Sequence, residues 1–184
     1  MPEPAHRPSQ RPALLDAALG VVRDGESLSL ESAARAAGVT KPGLMYHFAT
    51  KEALVAALVD HVLDRHETTL AELLPQGPAA AEASDRIAAY ARWALSFEHD
   101  AADLVLFSDP RLREQMAERW ATRFAPWVHV PSDLPAEERA RLQAVRLMAD
   151  GSWFADATST LPVPPEDREA LLATALDLIG RNPS

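Results

Sequence analysis

Helical periodicity runs through this chain from Pro12 almost to its end, and no other feature constrains the fold as strongly. Apolar residues recur at steps of three and four: Leu14, Ala18, Val21 and Val22; then Leu54/Val55, Leu58/Val59 and Val62/Leu63; then Leu112, Met116, Trp120 and Phe124; and finally Leu171, Leu172, Ala175, Leu176 and Ile179. Such spacing lines up side chains on one face of a helix. Only seven Gly are present, and no run of alternating β-branched residues offers a strand. The expected fold is all-α, with about nine helices.

Caps and breakers set the boundaries. Pro12 suits a first turn, and Asp24-Gly25 stops the first helix. Ser29 can cap a short second helix over 30–37, with Glu31 near the positive end of its dipole, and Gly38 ends it. Thr40 is the next cap, Lys41-Pro42 forms a first turn, and the third helix runs to about Phe48. Thr50 caps a fourth helix that continues to Leu74, about 35 Å at 1.5 Å per residue. A linker follows over 75–83. Beyond it the pattern predicts a helix over 84–99, a short apolar segment at 104–107, and a helix after Asp109-Pro110. A long helix follows over 136–160, and a last one, opened by Pro162, Pro164 and Pro165, ends at Gly180.

Composition excludes several functions. There is no Cys, so neither disulfides nor Cys-held metals are possible. No apolar run reaches the roughly 20 residues of a membrane span, and the N-terminus has no hydrophobic stretch to serve as a secretion signal. A bacterial cytoplasmic location and no membrane partner are expected. No phosphate loop, G-x-G-x-x-G, G-x-S-x-G or H-E-x-x-H occurs, so neither catalysis nor a cofactor is expected. His61 and Asp64 can share a helical face, but His66 points elsewhere, so no metal site is expected either. The net charge of -9 argues against an indiscriminate nucleic-acid coat. It is unevenly spread: up to Lys51 there are six basic and five acidic residues, and beyond it twelve basic and twenty-two acidic. The only two lysines, Lys41 and Lys51, both lie in the first portion.

The segment Ser29-Leu-Glu-Ser-Ala-Ala-Arg-Ala-Ala-Gly38-Val-Thr-Lys-Pro-Gly-Leu-Met-Tyr46-His-Phe-Ala-Thr-Lys51-Glu-Ala-Leu54 has the dimensions of a helix-turn-helix. It resembles the DNA-binding segment of the TetR family of bacterial transcriptional regulators, in which an A-x-x-A-G-V-[ST] turn leads into a recognition helix ending Tyr-His-Phe. A Lys-Glu-Ala-Leu opening of the fourth helix then follows. The resemblance covers about 40 residues, from Leu14 to Leu54, and the run Leu-Met-Ala-Asp-Gly-Ser-Trp-Phe-Ala-Asp also looks like an element of some members. It implies DNA contacts from Ser29, Thr40, Lys41, Pro42, Gly43, Met45, Tyr46, His47 and Lys51. Small and hydrogen-bonding residues at the N-terminus of the third helix fit entry into a major groove, and Lys51 at a helix start fits a phosphate. For Tyr46 and Phe48 core packing is the competing reading. Two residues depart from the family pattern: Gly43 stands where Thr or Ser is usual, and Met45 where an aromatic is usual. Base readout then rests more on Lys41 and on DNA shape.

The resemblance further implies an N-terminal arm without fixed structure over 1–10, a DNA-binding domain over 11–55, and a domain for effector binding and dimerisation over 56–184. The chain would act as a repressor that binds a near-palindromic double-stranded operator as a homodimer and is released by a small apolar or amphipathic effector. Trp93, Phe97, Phe107, Trp120, Phe124, Trp127, Trp153 and Phe154 are the material for an effector cavity, each with core packing as its competing role. Trp93 and Phe97 on one helix and Trp120 and Phe124 on another could face each other across it. Ala149, Ser152, Ala155, Leu172, Leu176 and Ile179 are the expected dimer contacts, with burial in the same chain as the alternative. A reading from another class stays open: a helical small-molecule-binding protein without specific DNA binding.

Overall fold

The computed structural model describes residues 10–181, Leu106 by its backbone alone. Eight α-helices and one 3-10 helix form among them, with no strand. The first four helices follow the caps. Helix α1 (Arg11–Arg23) has Pro12 in its first turn and ends before Gly25, whose φ of 70° only Gly adopts freely. In α2 (Leu30–Ala36) the Ser29 hydroxyl accepts the Ser32 N–H at 3.0 Å and the Ser32 hydroxyl accepts the Ser29 N–H at 2.9 Å, a reciprocal cap. Helix α3 (Lys41–His47) is capped by Thr40, whose Oγ1 accepts the Gly43 N–H at 3.2 Å. Thr50 caps α4 (Lys51–Leu73) in the same way through Ala53.

The rest is built from α5 (Ala83–Ser96), the 3-10 helix η1 (Ala101–Phe107), α6 (Arg113–Val128), α7 (Ala136–Ala157) and α8 (Pro165–Leu178). Helix α5 is shorter than its periodicity predicts. At Phe97 the backbone turns extended, and Asp100 instead caps η1 by accepting the Ala102 N–H at 2.7 Å. Phe97 therefore leaves the helical face that carries Trp93. The expected arm over 1–10 lies, apart from Gln10, outside the described residues.

One core runs the length of the protein. Leu19 of α1, Ala33 of α2, Leu44 of α3 and Phe48 just after it share it with Leu54, Leu58, Leu63 and Leu70 of α4 and with Trp93, Phe124 and Ala149. A smaller cluster joins Ile87, Leu142, Val145 and Ala175 of α5, α7 and α8. Helix α4 belongs to both halves, so no break in packing marks the expected boundary at 55/56. The segment η1 touches α1, α4, α6 and α7. Ion pairs reinforce the junction: Arg23 to Asp100 at 2.6 Å and Lys51 to Asp109 at 2.8 Å.

Candidate nucleic-acid interface and effector cavity

Helix α3 packs through Leu44 and, just after its end, Phe48, both essentially without solvent contact. Its other side is open: Lys41, Pro42, Gly43, Met45 and Tyr46 are all exposed, with His47 half-buried. Tyr46 is 87% exposed, which removes it from the core, while Phe48 is a core residue with the Arg11 guanidinium 4.9 Å above its ring. Gly43 keeps the helix start flat. A Cβ there would lie 3.2 Å from Thr40 Oγ1, crowding the cap. Ser29 and Thr40 both commit their hydroxyls to helix caps.

Both lysines are paired with a carboxylate. Lys41 Nζ pairs with Glu31, and Lys51 Nζ lies 2.8 Å from Asp109 Oδ2. Hydrogen bonding to Lys41 and to Lys51 holds the Glu31 and Asp109 carboxyls below the usual carboxylate range. Glu31 lies ten residues from Lys41 and Asp109 fifty-eight from Lys51, so neither pairing leaves an i, i+4 pattern in the sequence.

In the C-terminal half, Trp120 and Phe124 stack with ring centroids 5.1 Å apart and line a cavity of about 440 Å³ between α5, α6 and α7. Its opposite edge is polar. Tyr90 donates to Asp150 Oδ1 at 2.8 Å, and Arg146 donates to Asp150 Oδ2 at 2.7 Å and to Gln143 at 2.9 Å. Burial first, and then the Asp150 charge, push the Tyr90 phenol well above its usual value, so it stays a neutral donor. Trp93, Phe97, Phe107, Trp127, Trp153 and Phe154 do not line this cavity. Trp93 does not face Phe124 across a space; the rings are in contact, with centroids 5.7 Å apart. Trp127 is buried, and Phe97, Phe107 and Phe154 are exposed. Asp150 lines the cavity, whereas Asp156 pairs with Arg168 at 2.5 Å.

His66 and His99 enclose Asp103 of η1. His99 Nδ1 lies 2.9 Å from Asp103 Oδ2 and its Nε2 faces the Trp93 carbonyl at 3.2 Å; His66 Nε2 lies 3.2 Å from Asp103 Oδ1, close enough to pair but not aligned as a hydrogen bond. The His99/Asp103 step of four was visible in the sequence. Among the described residues no three His, Asp or Glu side chains are arranged to hold a metal ion.

Three of the expected dimer contacts, Ala149, Ser152 and Leu176, are buried within the protomer, and Ala155, Leu172 and Ile179 are half-buried. Ala149 belongs to the long core, and Leu172 and Ile179 pack against the cluster of Ile87, Leu142, Val145 and Ala175. The opposite face of α7 carries Ala140, Ala144, Leu147, Gly151 and Phe154, all exposed, at alternating steps of four and three. Leu161 in the following loop and Leu178 of α8 are exposed as well.

Residues 14–58 match the family model described as bacterial regulatory proteins, tetR family, and residues 84–180 match the tetracyclin repressor-like C-terminal domain. Relatives include the HTH-type transcriptional regulator EthR of Mycobacterium tuberculosis, 25% identical over 90% of this chain and 87% of that one. The HTH-type transcriptional regulator BetI of Rhizobium meliloti is 29% identical over 93% of this chain and 89% of that one. Among solved structures, one described as a TetR-family transcriptional regulator from Rhodococcus sp. superposes with a TM-score of 0.65 at 19% identity, covering 93% of this chain and 99% of that one. The ketosteroid transcriptional regulator KstR2 of Mycobacterium tuberculosis follows at 0.55 and 20% identity, covering 94% and 95%.

Proposed function

The chain belongs to the TetR family of bacterial regulatory proteins, DNA-binding regulators of transcription, and we propose that it represses its target genes as a homodimer released from DNA by a small molecule. The observation that carries the DNA-binding reading is the solvent face of α3. Lys41, Pro42, Gly43, Met45 and Tyr46 stand clear while Leu44 and Phe48 fix the helix from below. Lys41, Pro42 and Gly43 then meet base edges, Tyr46 and His47 reach sugar and phosphate, and Lys51 takes a phosphate at the start of α4. Ser29 and Thr40, whose hydroxyls are engaged in caps, contribute through their backbone at the starts of α2 and α3.

The cavity beside Trp120 and Phe124 suits a small amphipathic effector with an apolar ring system. Because Arg146 and Tyr90 already balance Asp150, the polar edge offers hydrogen bonds rather than a net charge. Two protomers meet through the exposed apolar faces of α7 and α8, and the cytoplasm is where such a regulator meets its operator. No helix among the described residues is long and apolar enough to cross a membrane.

Titrating the purified protein against duplexes from the DNA flanking its own gene, alongside scrambled duplexes, tests this reading. Tighter binding to one flanking duplex, weakening steeply with salt, is expected. Equal binding to every duplex would favour a ligand-binding protein without an operator.

A further inference from the structure

We propose that Asp109 sets how strongly Lys51 grips DNA, acting as the built-in counter-ion that a phosphate must displace. The inference rests on the phosphate role given to Lys51 above. It starts from how firmly the anion is held. Asp109 Oδ1 accepts the Arg111 N–H at 3.0 Å, its carbonyl accepts the Leu112 N–H at 3.0 Å, and Oδ2 receives Lys51 Nζ at 2.8 Å. Its side chain is only 14% exposed. A carboxylate fixed this way loses little entropy on pairing, unlike the two mobile partners of an ordinary surface ion pair. The other charged groups that sense it are Arg111 and Glu52.

The two lysines differ in where their partners belong. Glu31, which holds Lys41, lies in α2 of the same DNA-binding module and is largely exposed. Asp109 lies in the turn that opens α6, the helix that carries Trp120 and Phe124 of the cavity. Lys51 is therefore shared between the surface that meets DNA and the half of the protein that meets the effector. Movement of α6 alters the strength of its hold on Lys51.

Charge bookkeeping gives the consequence a measurable form. A lysine already neutralised by a carboxylate brings no net positive charge to a phosphate and releases no condensed cation. Removing the Asp109 charge while keeping its acceptor restores that release. Asp109→Asn still accepts the Arg111 N–H, so the turn is retained. It should tighten binding near 0.1 M salt by roughly threefold per protomer and roughly tenfold for a dimer, and steepen the slope of log K against log salt by about 0.9 per protomer.

The experiment is a fluorescence-anisotropy titration from 50 to 200 mM salt, using a duplex from the DNA flanking the gene and a scrambled duplex of equal length. Asp109→Asn should tighten both and steepen both slopes, Asp109→Glu should restore wild-type behaviour, and adding Lys51→Ala to Asp109→Asn should abolish the gain. Unchanged or weaker binding by a correctly folded Asp109→Asn, with an unchanged slope, overturns the proposal. If Lys51→Ala changes binding in neither background, the phosphate role of Lys51 itself fails and takes the inference with it. Because Lys41 and Lys51 are the only lysines, lysine-selective labelling gives two side-chain ammonium signals by NMR. One should move on Asp109→Asn without DNA, and if neither does, the pair is absent in solution and the proposal falls.

Discussion

Tyr46 and Phe48 are two residues apart and face opposite ways, and they separate recognition from stability. Phe48 is almost wholly buried under Arg11, so Phe48→Ala should cost about 3–5 kcal/mol, read as a lowered denaturant midpoint. Tyr46 touches little but the edge of His47 at 5.2 Å. Tyr46→Ala should leave the midpoint unchanged and weaken DNA binding by about 3- to 10-fold, the worth of one neutral hydrogen bond. The lysines divide similarly. Lys51→Ala should weaken all duplexes alike, whereas Lys41→Ala should change the ranking of base-substituted duplexes; equal effects across such a panel would count against the division.

Helix α7 shows how far an element could be read in advance. Its span was legible from Pro135 and its apolar content, but not which of its two small-and-apolar faces turns inward. Ala149 and Ser152 lie one residue or so from Gly151 in sequence and on the other side of the helix. Only packing against α5 settles that choice, and it leaves Leu147, Gly151 and Phe154 outside. Leu147→Glu with Phe154→Glu should therefore give a monomer by sedimentation with its helical content intact. Caps Ser29, Thr40 and Thr50 were legible because capping is local. The His66–Asp103 pair, Asp109 and the Tyr90–Asp150 bond were not, because their partners lie on other elements. For η1 the pH consequence follows. Burial pushes the Asp103 carboxyl up, but contacts from His66 and His99 outweigh it and hold the group well below the usual range. Its contribution is complete above the unfolded value of about 3.9 and is lost as pH falls below it. Asp103→Asn should lower the melting temperature at neutral pH and flatten its decline as pH falls below about 4.

At the scale of the whole molecule, a net charge of -9 and a DNA-binding surface coexist because the negative charge is carried mainly beyond Lys51. Even the positive groups near α3 are partly neutralised by Glu31 and Asp109, so a single protomer has little to offer a duplex. On the proposed reading, the affinity comes from two recognition helices of one dimer meeting successive major grooves. The core that holds Leu44 and Phe48 beneath α3 also holds Tyr90 and Phe124, which line the cavity. Footprinting of the purified protein on the DNA flanking its gene tests this account most directly. It predicts one protected site with two symmetric halves centred roughly 34–36 Å apart, needing about 3- to 10-fold more protein in Tyr46→Ala and lost in the Leu147→Glu/Phe154→Glu monomer. Protection that is absent, or spread without sequence preference, or unaffected by breaking the dimer, would contradict it.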